Sequence, residues 1–201
     1  MATAIDFYFD FSSPYGYFAA SRIEALAAKY GRTVHWHPVL LGAVFKTTGG
    51  QPLTQIPIKG DYARHDMQRT ARLHAIPFRF PEKFPISSQL AARCALWAGN
   101  VHGEARKTEL SLALYRAYFA HGQDITETQT VLAVAQELGL DGAAMIEAIN
   151  GTAIKEQLRE EVDAAMRRGV FGAPFMIVDG EPFWGFDRFD QIELWLKNGP
   201  F

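Results

Sequence analysis

Apolar and polar positions at the start of the chain predict a strand, a helix and a second strand. Residues 5–11 mix aromatic and apolar side chains in the manner of a buried strand. A helix follows, because Pro14 suits a first helical position and apolar residues then recur three or four positions apart, at Phe18, Ala19, Ile23 and Leu26. Gly31 suits the left-handed end of that helix, and residues 33–39 read as the second strand. This order predicts one βαβ unit.

The middle of the chain has a helical pattern. Residues 40–60 are interrupted by glycine and proline and read as a loop. Amphipathic helices are then predicted over residues 62–74, 89–98, 104–121, 129–138 and 141–149, with a longer one ending at 168. Thr126 and Gln129 form a predicted capping box, and Asp141 is a predicted helix cap. No fixed repeat period is present.

The end of the chain returns to strands. Residues 174–178 and 182–184 are predicted strands joined by a hairpin turn at Asp179 and Gly180, and Asp187 is predicted to cap a last helix. The sequence therefore predicts an α/β fold whose sheet is interrupted by an all-helical insert over about residues 61–168.

Composition removes several classes of function. A hydrophobic content of 48% supports a real core, and a net charge of −2 gives no electrostatic case for nucleic-acid binding. No apolar run approaches the ~20 residues of a membrane helix, and no signal peptide is recognisable. The single cysteine, Cys94, excludes an internal disulfide, fits a reducing compartment and is interpreted as an inert buried thiol, so we expect a cytoplasmic protein.

Three polar features are candidates for chemistry. Ser13 stands at a strand-to-helix turn, where unpaired N–H groups favour an anion. Lys59, at the entry to a helix with several basic residues, either attracts a carboxylate or belongs to a solvated basic face. His35 and His37 share one strand face, but no cysteine or acid stands beside them in the sequence, so no metal site is predicted.

Three short motifs resemble those of a known family. Ser13, Pro14, Tyr15 and Gly16 stand where thioredoxin-fold oxidoreductases have Cys-x-x-Cys. Together with Gly172-Ala173-Pro174 and Phe183-Trp184-Gly185-Phe186-Asp187-Arg188, this pattern resembles 2-hydroxychromene-2-carboxylate isomerases, which join kappa-class glutathione transferases in the DsbA-like branch of the thioredoxin superfamily. The resemblance implies a single thioredoxin-like domain made of halves 1–60 and 169–201, a cis peptide bond before Pro174, and a homodimer.

With Ser13 and Gly16 in place of two thiols, no disulfide can be exchanged at this motif. What remains is a site for the thiolate of another molecule, whose pKa a hydroxyl donor would lower. The resemblance implies that this molecule is glutathione, with Ser13 as the catalytic residue. It places Ser13, Lys59, Ala173, Pro174, Phe186 and Asp187 at the glutathione site. Transferases of this kind carry Ser before that Asp, so Phe186 removes one contact to the glutamyl carboxylate.

The resemblance implies a glutathione-dependent cis-trans isomerase. It would convert 2-hydroxychromene-2-carboxylate, a small aromatic carboxylate, to trans-o-hydroxybenzylidenepyruvate in the catabolism of aromatic compounds. Two alternatives remain open: a kappa-class-like glutathione transferase, and a non-catalytic protein that binds glutathione or a peptide. A serine hydrolase at Ser13 is disfavoured, because the Gly-x-Ser-x-Gly elbow is missing.

Overall fold

Four strands form one mixed sheet in the computed structural model, which describes residues 4–201. They are β1 (Ile5–Phe9), β2 (Val34–Pro38), β3 (Phe175–Val178) and β4 (Glu181–Trp184), in the spatial order β2-β1-β3-β4. β1 pairs parallel with β2 and antiparallel with β3, and β3 pairs antiparallel with β4. The four predicted strands are confirmed, and so is the two-residue hairpin turn, where Asp179 and Gly180 both have positive φ.

Helices connect the strands along the chain. Two short helices, α1 (Pro14–Ala20) and α2 (Ile23–Lys29), join β1 to β2. The helices between β2 and β3 are α3 (Leu41–Thr48), α4 (Lys59–Leu73), α5 (Gln89–His102), α6 (Glu104–Phe119), α7 (Thr128–Glu137), α8 (Gly142–Asn150) and α9 (Thr152–Arg167). α10 (Phe189–Asn198) follows β4. No helix in this described part of the chain is both long enough and apolar enough to cross a membrane.

The main core lies between one sheet face and the helices. Alternate β1 residues, Ile5, Phe7 and Phe9, are fully buried because successive strand side chains point to opposite faces. The Phe7 ring meets the buried indole of Trp36 on β2 edge to face, with centroids 4.9 Å apart. Burying an aromatic side chain of this size stabilises the fold by about 2–3 kcal/mol. The insert shares this core, since Tyr17 of α1 stacks on Phe119 of α6 at 5.6 Å.

The other sheet face carries a charged cluster under α9. His37 on β2 places Nδ1 3.2 Å from the Glu161 carboxylate and Nε2 3.3 Å from that of Asp6. The hydrogen bond from His37 lowers the pKa of Glu161. The two acids that seemed distant from this histidine in the sequence are therefore its neighbours in space. Even so, no group of three His, Cys, Asp or Glu residues between positions 4 and 201 is arranged to hold a metal ion.

Parts of the helical prediction are wrong. Residues 40–60 are not a plain loop: α3 occupies 41–48, and a 3-10 turn spans Leu53–Gln55. Asp10, 31 positions away in the chain, starts α3 by accepting a hydrogen bond from Leu41 N at 2.6 Å, a contact that local sequence does not reveal. The first predicted helix is also divided in two, at Ser21 and Arg22.

The predicted helix caps have mixed outcomes. Asp141 does cap α8, accepting from the N–H groups of Ala143 and Ala144. The capping box at Thr126 is wrong, because its hydroxyl donates to Asp124 at 2.6 Å and α7 begins two residues later. The cap at Asp187 is wrong too, because this residue lies inside a 3-10 turn (Phe186–Arg188) that precedes α10.

Candidate active site

Ser12 and Ser13 were both candidates for the N-cap of α1; the structure has Ser13 in that position, with its side chain buried. Its Oγ accepts a hydrogen bond from Gly16 N at 3.0 Å and donates one to the carbonyl of Ala173 at 2.8 Å. A hydroxyl has a single proton to donate. In this arrangement, therefore, the Ser13 hydroxyl donates its hydrogen bond to the Ala173 carbonyl, and not to the sulfur of a bound thiolate as expected from the sequence.

Ala173 and Pro174 lie opposite this turn, immediately before β3. The peptide bond between them is cis, as predicted, and Phe84-Pro85 is a second cis bond that the sequence analysis missed. The Pro174 carbonyl accepts from Gly185 N at 3.0 Å, which joins the start of β3 to the end of β4. Two segments 160 residues apart in the chain thus meet at one hydrogen bond, between Ser13 and Ala173.

Gly16 holds the place of the second cysteine of a dithiol motif, and Tyr115 from α6 fills the space beside it. A Cβ on Gly16 would lie 2.7 Å from Tyr115 Oη, closer than real Cβ contacts. The Tyr115 hydroxyl donates to the Asp10 carbonyl at 2.9 Å, and burial raises the pKa of this phenol well above its usual range. The helical insert therefore reaches directly under the turn that carries Ser13.

Asp10 is a buried carboxylate that the sequence analysis overlooked. One carboxylate oxygen accepts from Ser12 N at 2.7 Å and the other from Leu41 N, while the backbone carbonyl accepts from Ser13 N at 2.8 Å. Burial raises the pKa of this carboxyl, although these N–H donors oppose the rise. Asp10 thereby fixes the turn on which Ser13 sits. Asp10 lies in a stretch interpreted as a strand, and an acid in a strand is normally taken to point to solvent. Its inward position was therefore not predicted.

Tyr15 connects the same turn to α4. Its hydroxyl donates to the Asp66 carboxylate at 2.5 Å, and Asp66 also pairs with Arg69. Burial and this hydrogen bond to Asp66 raise the pKa of Tyr15. Lys59 is the first residue of α4, and its side chain is exposed. The structure thus links the helix that carries Lys59 to the Ser13 turn through Tyr15.

Phe186 and Asp187 have opposite environments. Phe186 is buried, with its ring 4.8 Å from that of His74 and 5.0 Å from that of Phe189, so its side chain is part of the core. The Asp187 side chain is 71% exposed and pairs with its neighbour Arg188 at 2.8 Å. Of these two, only Asp187 presents a polar group to solvent at the start of the last helical segment.

The Cys94 thiol, by contrast, takes no part in this site. It is fully buried in α5, and burial raises the pKa of the Cys94 thiol to about 12. A thiol that stays protonated at neutral pH is a poor nucleophile. The interpretation of Cys94 as an inert core residue is confirmed.

Comparison with known proteins agrees with this geometry. The family model described as a DSBA-like thioredoxin domain matches residues 4–197. The chain is 32% identical over 200 residues to a 2-hydroxychromene-2-carboxylate isomerase of Sphingobium xenophagum, covering 98% of this chain and 100% of the relative. It is 27% identical to glutathione S-transferase kappa 1 of Homo sapiens, covering 98% and 94% of the two chains.

A solved structure gives the same result. The fold matches a structure of 2-hydroxychromene-2-carboxylate isomerase with a TM-score of 0.88 and 31% sequence identity, over 96% of this chain and 94% of the other. Fold, family model and end-to-end identity therefore agree, and the resemblance inferred from the three motifs is confirmed. The chain belongs to the DSBA-like thioredoxin family, among the relatives of the 2-hydroxychromene-2-carboxylate isomerases.

Proposed function

We propose that this protein is a glutathione-dependent isomerase that converts 2-hydroxychromene-2-carboxylate to trans-o-hydroxybenzylidenepyruvate. The observation that carries the proposal is the hydrogen bond between Ser13 and Ala173, in a chain 32% identical end to end with a protein of that name. A serine and a glycine at the dithiol positions leave a thiol-binding site that has no thiol of its own.

The residues present fit glutathione. Ser13 offers a hydroxyl, the Ala173 carbonyl accepts hydrogen bonds, and Lys59 and Asp187 carry exposed charges that suit a carboxylate and an ammonium group. Pro174 shapes the turn beside Ala173. Phe186 contributes its backbone, since its side chain is buried among aromatic rings.

In this proposal the Ser13 hydroxyl changes partner. Its proton turns from the Ala173 carbonyl to a sulfur, and the freed carbonyl accepts an N–H group of the bound tripeptide, so both polar groups stay satisfied. When bound, glutathione supplies a thiolate that adds reversibly to the substrate and so lowers the barrier to bond rotation. Ser13 stabilises negative charge and forms no covalent bond. Asp10 and Tyr115 hold the turn in place while the hydroxyl moves.

A kappa-class-like glutathione transferase is the second candidate, supported by the 27% identity with the human enzyme. The two activities differ in whether glutathione leaves the product. We further propose a cytoplasmic location, supported by the single, buried cysteine, and a role in the catabolism of aromatic compounds, supported by the substrate in the names of the relatives. That the protein is a homodimer is proposed on the family resemblance alone.

The test mixes purified protein with glutathione and the chromene acid and follows the ultraviolet spectrum. We expect glutathione to be required, to be recovered unchanged, and to be absent from the product. A product that retains glutathione would favour the transferase, and binding of glutathione without turnover would leave a binding protein. Ser13→Ala is the matched variant for the catalytic role, and Ser21→Ala, at the other end of α1, is its control.

A further inference from the structure

The segment before α4 contains a strained residue that is exposed. Ile58 has φ 68° and ψ −53°, and Lys59 N donates to Pro57 O across it at 2.7 Å. This is the γ-turn with a positive central φ, which is rare and strained, and it is an outlier for a β-branched residue. The Ile58 side chain is 91% exposed, so packing within residues 4–201 does not explain why an isoleucine holds this position.

The turn is firmly built. Gly60 N donates to the Ile56 carbonyl at 2.8 Å. A Cβ on Gly60 would lie 2.6 Å from the Thr54 carbonyl oxygen, so the 3-10 turn and the start of α4 are in close contact. The backbone around Ile58 is therefore fixed, and the side chain is held out into solvent. Strain of this kind collects at ligand-binding sites, where it pre-organises a contact.

Two more exposed apolar side chains belong to the same 3-10 turn and helix start, namely Leu53, at 43%, and Tyr62, in the first turn of α4, at 61%. We name Leu53, Ile58 and Tyr62 the apolar patch. Lys59 follows Ile58 directly and supplies a positive charge at the same helix start. Exposed apolar side chains beside a cation suit a ligand that has an apolar ring and a carboxylate.

The apolar patch is tied to the Ser13 turn by a chain of contacts. Arg69 donates to the Tyr62 hydroxyl at 3.2 Å and pairs with Asp66. Asp66 accepts from the Tyr15 hydroxyl at 2.5 Å, and Tyr15 lies in the first turn of α1, two residues after Ser13. The patch and the candidate active site are therefore held in a fixed relation.

We propose that the apolar patch binds the aromatic ring of the substrate and that Lys59 binds a carboxylate beside it. This inference rests on the proposed function and adds to it the residues that select a bicyclic aromatic acid. Ile58 provides an aliphatic surface and Tyr62 a ring for stacking. The strained turn then has a role, which is to hold Ile58 toward the substrate.

The main test replaces Ile58 by glycine, which removes the side chain and accepts positive φ without strain. We expect KM for the chromene acid to rise about tenfold, the lower end of the range for an apolar contact with a substrate, because the bound ring would lose its contact with Ile58. The affinity for glutathione should change less than twofold, and the thermal midpoint should stay equal or rise. Leu73→Ala, at an exposed leucine at the far end of α4, is the matched control and should leave KM unchanged.

Two further variants sharpen the result. Tyr62→Phe should keep KM within about twofold, whereas Tyr62→Ala should raise it about five- to tenfold, if the ring stacks on the substrate. Lys59→Met shows whose carboxylate Lys59 binds. A higher KM for the chromene acid would identify the carboxylate of the substrate, and weaker binding of glutathione would identify a carboxylate of the cofactor. No change in either constant would overturn the role of Lys59.

Direct binding of 1-naphthoate, a bicyclic aromatic carboxylate, separates this inference from the proposed function. Calorimetry should show binding to the wild type and a roughly tenfold loss in Ile58→Gly. If 1-naphthoate binding depends on Ile58 but the protein has no isomerase activity, the apolar patch remains a ligand site and the proposed isomerase function is rejected. An unchanged KM and unchanged naphthoate affinity in Ile58→Gly would overturn the inference. The inference would also be overturned if light scattering showed that Ile58→Gly converts a dimer to a monomer, because the apolar patch would then be an interface between two copies of the chain.

Discussion

The two sides of the candidate site are built differently. On the side of β1 and α1, Ser13, Asp10 and Tyr115 are buried, and each is held by hydrogen bonds to distant parts of the chain. On the side of α4 and the last 3-10 turn, Ile58 and Asp187 are exposed.

This difference separates two kinds of requirement. A buried polar group whose partner is removed loses its hydrogen bond with no water to replace it, so changes on the first side should reduce stability as well as activity. Exposed side chains can change without such a penalty, so the second side is free to set which ligand binds. Five substitutions at four positions test this division.

Asp10→Ala should have the largest effect. It removes the acceptor of two backbone N–H groups, those of Ser12 and Leu41, and each buried donor left alone costs about 1–3 kcal/mol. We expect the free energy of unfolding, measured by denaturant titration, to fall by about 2–5 kcal/mol. A loss below about 1 kcal/mol would show that water replaces the carboxylate and that this side is not rigid.

Asp10→Asn gives a related test through pH. Because burial raises the pKa of Asp10 in the folded state above its unfolded value, the folded state holds the proton more tightly. The stability that this proton contributes is present below the unfolded pKa and is lost as pH rises through the folded pKa. The wild type should therefore lose stability relative to Asp10→Asn as pH rises above the ordinary pKa of an aspartate carboxyl. A gain over this range would contradict the raised pKa.

Gly16→Ala should lower the free energy of unfolding by about 1–3 kcal/mol, because its new Cβ would overlap Tyr115 Oη. Tyr115→Phe removes that oxygen, so the cost of Gly16→Ala should shrink in this background, as a double-mutant cycle would show. Gly42→Ala is the control: it lies in α3 with no atom within 4 Å of its Cβ position, and it should stabilise the protein slightly. If Gly16→Ala lowered the free energy of unfolding equally in the wild type and in Tyr115→Phe, the destabilisation would not come from the contact with the Tyr115 hydroxyl.

Ser13→Ala should raise the pKa of the bound glutathione thiol by about 1–2 units, because one charge-assisted hydrogen bond contributes about 1.5–3 kcal/mol. Turnover near neutral pH should fall in step and recover in part at higher pH. Ser13 also caps α1, so about 1 kcal/mol of stability should be lost as well. The thiol pKa is measured by the ultraviolet absorbance of the bound thiolate. An unchanged thiol pKa, or an acyl-serine trapped in the wild type, would reject the electrostatic role.

Asp187→Asn should have the smallest effect. An exposed ion pair contributes about 0.2–1 kcal/mol, so the affinity for glutathione should weaken two- to fivefold and stability should stay nearly constant. Asp190→Asn, an exposed acid in the first turn of α10, serves as the control. A loss of stability above about 1 kcal/mol in Asp187→Asn would break the division between the two sides.

The sequence predicted the parts of the molecule that depend on local patterns. The strands followed from short runs rich in apolar and aromatic residues, and the hairpin turn followed from Asp179 and Gly180, whose backbone conformation few residues adopt easily. Pro14, with Ser12 and Ser13 as candidate caps before it, likewise predicted the start of α1.

Contacts between distant segments were not predictable in this way. The start of α3 depends on a carboxylate 31 positions earlier, and no local feature reveals that Asp10 turns inward. The sequence also did not show which insert residue lies under the Ser13 turn. One signal was present, since a glycine in the place of a cysteine indicates a close approach by another group, and Tyr115 is that group. The γ-turn at Ile58 gave no signal, because its conformation opposes the preference of its residue.

The tyrosine under Gly16 also bears on whether redox chemistry could be engineered into this protein. A designer who placed cysteines at positions 13 and 16 would find the second thiol blocked, because the volume that it needs holds the Tyr115 hydroxyl. Trimming Tyr115 would in turn withdraw a hydrogen bond from the Asp10 carbonyl, which would have to be replaced. The helical insert, as well as the motif, is therefore incompatible with a dithiol at this turn. Introducing one would require coordinated changes in two segments about 100 residues apart.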